Sequence, residues 1–312
     1  MNQPLMILAG GNGFLGRHLA RHFRQLGYEV LTLTRRAKRF GEVAWNGRTL
    51  GPWASKLEGA AVLINLAGKS VDCRYYAANK YAIVRSRTES TRVLGEAVAQ
   101  CLNPPALWLN SSTATIYEDT TGAAPANTEA AGRIGRGFSE MVAQKWEAEF
   151  NLATVPHTRR VALRTAIVLG ADGGALPVLA RLARWGLSTP QGTGQQWVSW
   201  LHIADFCRAV EFLVARPTLE GAFNLCAPEP LPNATLMGLL DRHYRPRWHL
   251  PQPQWLLEIG AFLLRTETEL ILKSRKVVPQ RLLNAGFRFR FSSCQQAVAD
   301  LLPQIDSAAY LP

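Results

Sequence analysis

A strand-sized apolar run, Leu5 to Ala9, leads straight into Gly10-Gly11-Asn12-Gly13-Phe14-Leu15-Gly16, and Leu15, Leu19, Phe23 and Leu26 then recur at helical spacing before Gly27. A second apolar run at 29–34 completes strand, glycine turn, helix, strand, which is a βαβ unit and commits the chain to a parallel sheet. Runs at 61–66 and 106–110 read as further buried parallel strands. Residues 74–100 and 138–152 read as helices, the second ending before Pro156. A strand at 160–168 closes on Leu169-Gly170, a helix near 175–185 follows, and composition then shifts to the polar loop GLSTPQGTGQQ (186–196), with prolines crowded at 228–232 and 246–253. The pattern predicts an α/β fold: a Rossmann-type doubly wound parallel sheet over 1–170, joined by a strand and helix returning from about 198–225, and a smaller C-terminal α+β substrate domain from 171–197 and 226–312.

Gly10, Gly13 and Gly16 stand where a dinucleotide fold needs glycine: for the tight turn, for backbone approach to a pyrophosphate, and for close packing of helix on strand. The helix that starts beside Gly13 turns free amides and a positive dipole end toward the phosphates, through the backbone of Phe14 and Leu15. An NAD site usually carries a carboxylate at the end of the second strand, but that strand ends in Thr34 and is followed by Arg35 and Arg36. Two guanidiniums suit a 2′-phosphate, so the expected cofactor is NADP(H), with NAD second.

The rest of the composition narrows the function classes. The formal charge of +12 is concentrated in residues 17–39 and 273–290, which attract anions. No zinc-finger, helix-turn-helix or aromatic RNA motif accompanies it, so specific nucleic-acid binding is the weakest reading. The five cysteines are odd in number and far apart, which excludes a disulfide framework or zinc site and fits a cytoplasmic setting; no metal is expected. The longest apolar stretch, WLLEIGAFLL (255–264), contains Glu258 and reads as an amphipathic helix, not a membrane span.

Beyond the glycine turn, NLAG (65–68), SSTATIY (111–117) and LRTAIVLG (163–170) make the chain resemble the extended short-chain dehydrogenase/reductases, which include nucleotide-sugar epimerases and dehydratases. RYYAANKYAIVRSRTESTR (74–92), GADGGAL (170–176), GTGQQWVSWLHIAD (192–205) and VVPQRLLNAGFRFRF (277–291) resemble an atypical epimerase-like subgroup with its own C-terminal domain. The resemblance implies that Leu66, Ala67, Gly68 and Arg164 border the cofactor and that Thr113 is the hydroxyl orienting a substrate oxygen. It also implies a tyrosine base and a lysine four residues later on the 138–152 helix, the cation lowering the phenol's pKa. Counting back from Glu147 puts Ser139 and Ala143 in those places, so the expected base is missing.

Replacement proton carriers are Tyr117 and Glu118, although a packed aromatic and a solvated acid are the plainer readings. Tyr76 and Lys80 have tyrosine-lysine spacing but precede the SSTAT strand; Lys80 matches the subgroup's pattern and is a candidate for contact with substrate or a cofactor phosphate. His202 with Asp205 suits packing and helix capping better than catalysis. Gln195, Gln196 and Trp197 are candidate substrate contacts, and Arg281 faces either a diphosphate or water. The chain is therefore expected to be an NADP(H)-binding, epimerase-like oxidoreductase for an anionic polar substrate, such as a nucleotide-sugar, in a homodimer. The alternative is a non-catalytic NADP(H)-binding regulator or sensor.

Overall fold

The apolar runs become the strands of one sheet whose two faces follow the two-residue period of an extended chain. The computed structural model describes residues 3–246 and 273–309; the helix expected at 255–264 lies outside them. Seven parallel strands, β1 (Leu5–Ala9), β2 (Glu29–Thr34), β3 (Glu42–Ala44), β4 (Val62–Asn65), β5 (Leu107–Thr113), β6 (Arg159–Thr165) and β10 (Gly221–Leu225), lie in the order β10-β6-β5-β4-β1-β2-β3. The order reverses between β1 and β4, and the turn after β1 opens there, at the carboxyl ends of the strands where ligands of such sheets bind.

Met6 and Leu8 on one face of β1 share a core with Leu19, Ala20 and Phe23 of α1 (Phe14–Gln25) and with Phe206, Val210 and Leu213 of α5 (Ile203–Val214). Ile7 and Ala9 on the other face pack with Val93, Leu94, Ala97 and Val98 of α2 (Ala77–Ala99) and with Phe150 of α3 (Phe138–Leu152). The sheet is therefore doubly wound, as the sequence predicts. Leu176, Ala180 and Ala183 of α4 (Leu176–Arg184) start a separate apolar cluster with Leu236, Met237 and Leu240 of α6 (Asn233–Tyr244) and Leu301 and Leu302 of α8 (Cys294–Ala309).

The expected strand at 160–168 is in fact two. β6 stops at Thr165, and β7 (Ile167–Leu169) leaves the main sheet to pair in parallel with β9 (Trp200–His202). The Ala166 amide between them donates to Leu225 of β10, and the Ile167 amide to Ser199. A strand-like run without glycine or proline cannot show such a change of partner.

Among the described residues no helix is long and apolar enough to cross a membrane, and no group of His, Cys, Asp or Glu is placed to hold a metal ion. The five cysteines are free thiols.

Candidate functional site

The glycine turn is held rigid from below. Gly10 has φ +76°, and a Cβ there would lie 2.9 Å from the Ala67 Cα; one on Gly16 would lie 2.3 Å from the Gly11 carbonyl oxygen. These positions are closed by backbone, the first where the turn meets the loop after β4, the second where α1 meets the turn. Gly13 differs: a Cβ there would find nothing nearer than the Gly10 oxygen at 3.8 Å. Gly13 is also the N-cap of α1, with no side-chain cap and no acid in the first turn, so the helix's free amides and positive end face that open space. Those are the features a pyrophosphate requires.

Phe14 is enclosed by the next glycine cluster. Cβ atoms on Gly170, Gly173 and Gly174 would lie 2.5, 2.6 and 3.2 Å from its ring, so the GADGG run is glycine-rich because it wraps an aromatic side chain. His18 bonds Asp172 in the same loop at 2.7 Å.

The turn forms one end of a cavity of about 560 Å³. Of the residues expected at the site, Gly10, Gly13, Phe14, Leu15, Gly16, Leu66, Gly68 and Thr113 line it. Ala67 touches the turn through its backbone, as the Gly10 geometry shows. Lys69, Tyr75, Arg87, Ser111, Ser112, Ser139, Val142, Trp146 and the strand-break residues 165–168 also line it. Thr113 Oγ1 accepts from the Thr115 amide at 3.1 Å, which fixes its rotamer at the cavity edge.

The loop over this cavity is pinned by a buried polar network that sequence reading missed. Asn65 donates to Asn110 at 2.7 Å and Thr91 at 3.1 Å, accepts from the Ala67 amide at 3.0 Å, and Trp146 donates to Thr91 at 3.0 Å. Asn65, Thr91 and Asn110 come from three separate elements, so their spacing along the chain carries no signal of it.

Other expected residues stand away from the cavity. Tyr117 is fully buried; its hydroxyl donates to Asn224 at 2.8 Å and accepts from Arg164 at 2.9 Å, and burial pushes its phenol above the ordinary range despite the guanidinium beside it. Arg164 in turn makes two bonds to Glu147, at 2.8 and 2.7 Å, and Ser112 donates to the same carboxylate at 2.6 Å. Burial disfavours the Arg164 cation, but the bonds and charge of Glu147 outweigh it and leave its pKa raised. Glu118 is half-buried and pairs with Arg133 at 3.6 Å. Lys80 is exposed, its ammonium 5.1 Å from the Phe138 ring centroid, and Tyr76 is exposed at the N-cap of α2. On α3, Ser139 lines the cavity, whereas Ala143 is buried with Ala114, Ile116 and Tyr117.

His202 caps α5: Nδ1 accepts from the Ala204 amide at 3.0 Å, the ring stacks on Phe291 at 3.8 Å, and Nε2 meets Asp300 at 3.2 Å. Gln196 is buried against Gln191, and Trp197 donates to the Gly122 carbonyl at 3.1 Å; neither they nor Gln195 line the cavity. Arg281 donates to the carbonyls of Ala222 and Glu220 at 2.7 and 2.8 Å and lies over Phe223, fastening the edge of the sheet.

At the end of β2, Arg35 and Arg36 are exposed, and neither forms an ion pair with a described residue. Arg35 lines a second cavity, about 710 Å³, with Trp45, Asn46, Arg48 and Pro52. The end of the strand supplies no carboxylate, but β3 brings Glu42 into the space beside Thr34: Asn12 donates to Glu42 at 3.1 Å and to Thr34 at 3.3 Å. Glu42 Oε2 accepts from the amides of both Lys38 and Arg39, and the Lys38 amide foremost holds its pKa low.

Comparison with known proteins agrees with this architecture. Residues 6–226 match the NAD dependent epimerase/dehydratase family, and residues 252–301 match a domain of unknown function, DUF1731. The epimerase family protein YfhF of Bacillus subtilis is 30% identical over 309 residues, covering 95% of this chain and 97% of its own. The human epimerase family protein SDR39U1, solved with NADPH, superposes with a TM-score of 0.86 at 25% identity over 96% of this chain and 99% of that one. A nucleoside-diphosphate sugar epimerase from Corynebacterium glutamicum gives 0.78 at 27% identity, covering all of this chain (100%) and 62% of the other.

Proposed function

This chain belongs to the NAD dependent epimerase/dehydratase family, and from that premise we propose that it is an NADP(H)-binding, epimerase-like oxidoreductase acting on an anionic polar carbonyl or hydroxyl compound, such as a nucleotide-sugar. The observation that carries the reading is the contrast within the glycine turn, closed by backbone at Gly10 and Gly16 and open only at Gly13, where uncapped helix amides wait. Those amides hold the pyrophosphate, and the backbone of Leu66, Ala67 and Gly68 flanks the ribose beyond it. Arg35 and Arg36, beside Thr34, take the 2′-phosphate, a choice supported by the NADPH solved with human SDR39U1. The bound nicotinamide supplies hydride transfer. Thr113, at the cavity edge, hydrogen-bonds the substrate oxygen.

Tyr117 and Arg164 we assign to bracing rather than contact, because every polar group of Tyr117 and both faces of the Arg164 fork are taken by Asn224, Glu147 and each other. Lys80 we leave outside the lining. The second reading, a coenzyme-binding regulator without turnover, is favoured by one observation: among the described residues the lining contains no His, Cys, Asp or Glu.

Both readings expect thermal stabilisation by NADPH, about 2.7 kcal/mol at a hundredfold excess over Kd, exceeding that by NADH. Replacing Arg35 and Arg36 with serine should remove the preference; equal response of the wild type to both cofactors would end the NADP(H) assignment. Turnover of any compound in a panel of nucleotide-sugars and small carbonyl compounds, followed at the nicotinamide absorbance and slowed by Thr113→Ala, separates the enzyme from the regulator.

A further inference from the structure

Among the described residues Arg87 is the only arginine that lines the cavity at the glycine turn, and like Arg160 it has no carboxylate partner and bonds carbonyls through Nη1 alone. Arg164 has Glu147, Arg275 has Asp119 and Glu140, and Arg159 and Arg281 each use both terminal nitrogens on backbone carbonyls. Arg87 uses only Nη1, which donates to the carbonyls of Lys69 at 3.0 Å and Ile83 at 3.1 Å. Its guanidinium lies 5.0 Å from the Trp146 ring centroid and packs under the loop after β4, where a Cβ on Gly68 would sit 3.2 Å from Cζ. That fixes the cation in place, and it lines the main cavity. Burial pushes it down to about 10, against the nearby Tyr75.

No carboxylate among the described residues answers this charge. A desolvated cation without a counter-ion is costly, and the cost is recovered when an anion arrives. The main cavity contains Lys69 as a second cation and no described acid, so the anion has to come with a ligand. The cofactor's pyrophosphate is already served by the uncapped amides at Gly13. Arg87 reaches the cavity further along the loop, beside Val142 and Trp146 of α3.

We infer that Arg87 is the anchor for an oxyanion carried by the substrate itself, a phosphate or carboxylate bound in the nicotinamide cavity, with Lys69 as its neighbour. The inference rests on the oxidoreductase reading above and names the group that would select its substrate. The planar fork of Arg87 offers Nη2 and Nε to such a group while Nη1 stays on the protein.

The test uses the full chain saturated with NADPH, titrated at constant ionic strength with inorganic phosphate in one arm and acetate in the other, and read by nicotinamide fluorescence and melting temperature. Wild type should bind one of the two saturably. Arg87→Gln should weaken that binding roughly ten- to hundredfold with NADPH affinity retained, and Arg87→Lys, which keeps the charge without the fork, should fall between. The inference is overturned if neither anion binds saturably, if Arg87→Gln binds as wild type does, or if its NADPH affinity falls in step, which would make Arg87 a cofactor contact. Should Arg87→Gln fail to fold, Arg87→Lys decides: unchanged anion affinity and unchanged selectivity between the two anions overturns the bidentate anchor. Failure of the wild type to take up NADPH overturns the proposed function instead, and the same titration of the cofactor-free chain still reads Arg87.

Discussion

A methyl group added at Gly16 would press on the Gly11 carbonyl, whereas one added at Gly13 would project into open space. Gly13→Ala should therefore cost about 1 kcal/mol or less, the ordinary penalty of a poorer N-cap, while reducing NADPH affinity by about tenfold or more. Gly16→Ala should instead lower stability by about 1–3 kcal/mol or more, the overpacking range, with or without cofactor. Denaturant unfolding and calorimetry on the two variants separate these outcomes, and equal NADPH affinity for Gly13→Ala and wild type would argue against a phosphate there. His202 offers a second test. Burial holds its pKa below the ordinary 6.5, against the pull of Asp300, so the folded state favours the neutral ring. The unfolded chain then binds the extra proton first, and stability present above about pH 6.5 is lost as pH falls through the folded value, by at most about 1.4 kcal/mol per pH unit. Protonation also ends the capping bond, because Nδ1 can no longer accept from Ala204. His202→Asn retains a cap acceptor and should flatten this part of the stability profile; an unchanged acid slope would contradict it.

Between elements, one ion pair ties β6 to α3. Arg164 and Glu147 are both largely buried, so removing one partner strands the other: Glu147→Gln should cost about 3–5 kcal/mol in denaturant unfolding, and Arg164→Met a similar amount. Tyr117→Phe should cost only about 1–3 kcal/mol and leave NADPH binding intact; abolished turnover without loss of stability would return Tyr117 to the chemistry. This junction also marks how far sequence reading reaches. β1, β2, β4, α1 and α3 are written locally, in apolar runs, periodicity and glycine spacing, and the absence of a base at 139 and 143 could be counted from Glu147. The split at Ala166 could not, since residues 160–169 carry no glycine or proline to mark a break and the change lies in the partner strand. Arg87 was equally hidden: within RYYAANKYAIVRSRTESTR it is one of four arginines, and what distinguishes it is Trp146 and the Lys69 carbonyl, contributed from 59 residues later and 18 residues earlier. Glu42 reaches Asn12 only because β3 pairs beside β2.

Across the molecule, the two basic stretches turn out to have different fates. The first leaves Arg35 and Arg36 in solvent, ready for an anion, whereas the second is divided: Lys273 and Arg275 pair with Glu140 and Arg281 fastens the edge of the sheet, while Arg288 and Arg290 are exposed. A uniform +12 therefore overstates how much positive field faces outward. The break at Ala166 has the wider consequence. Residues 165–168 floor the cavity, and their backbone is bonded to β10 of the main sheet on one side and to the β9 region on the other. The floor is thus a seam: tilting the outer helices against the sheet must shear it, and whatever molecule rests on it resists that shear. The N-cap of α4, Ala175, lies in the same lining, so a ligand resting on the seam also meets the end of that outer helix.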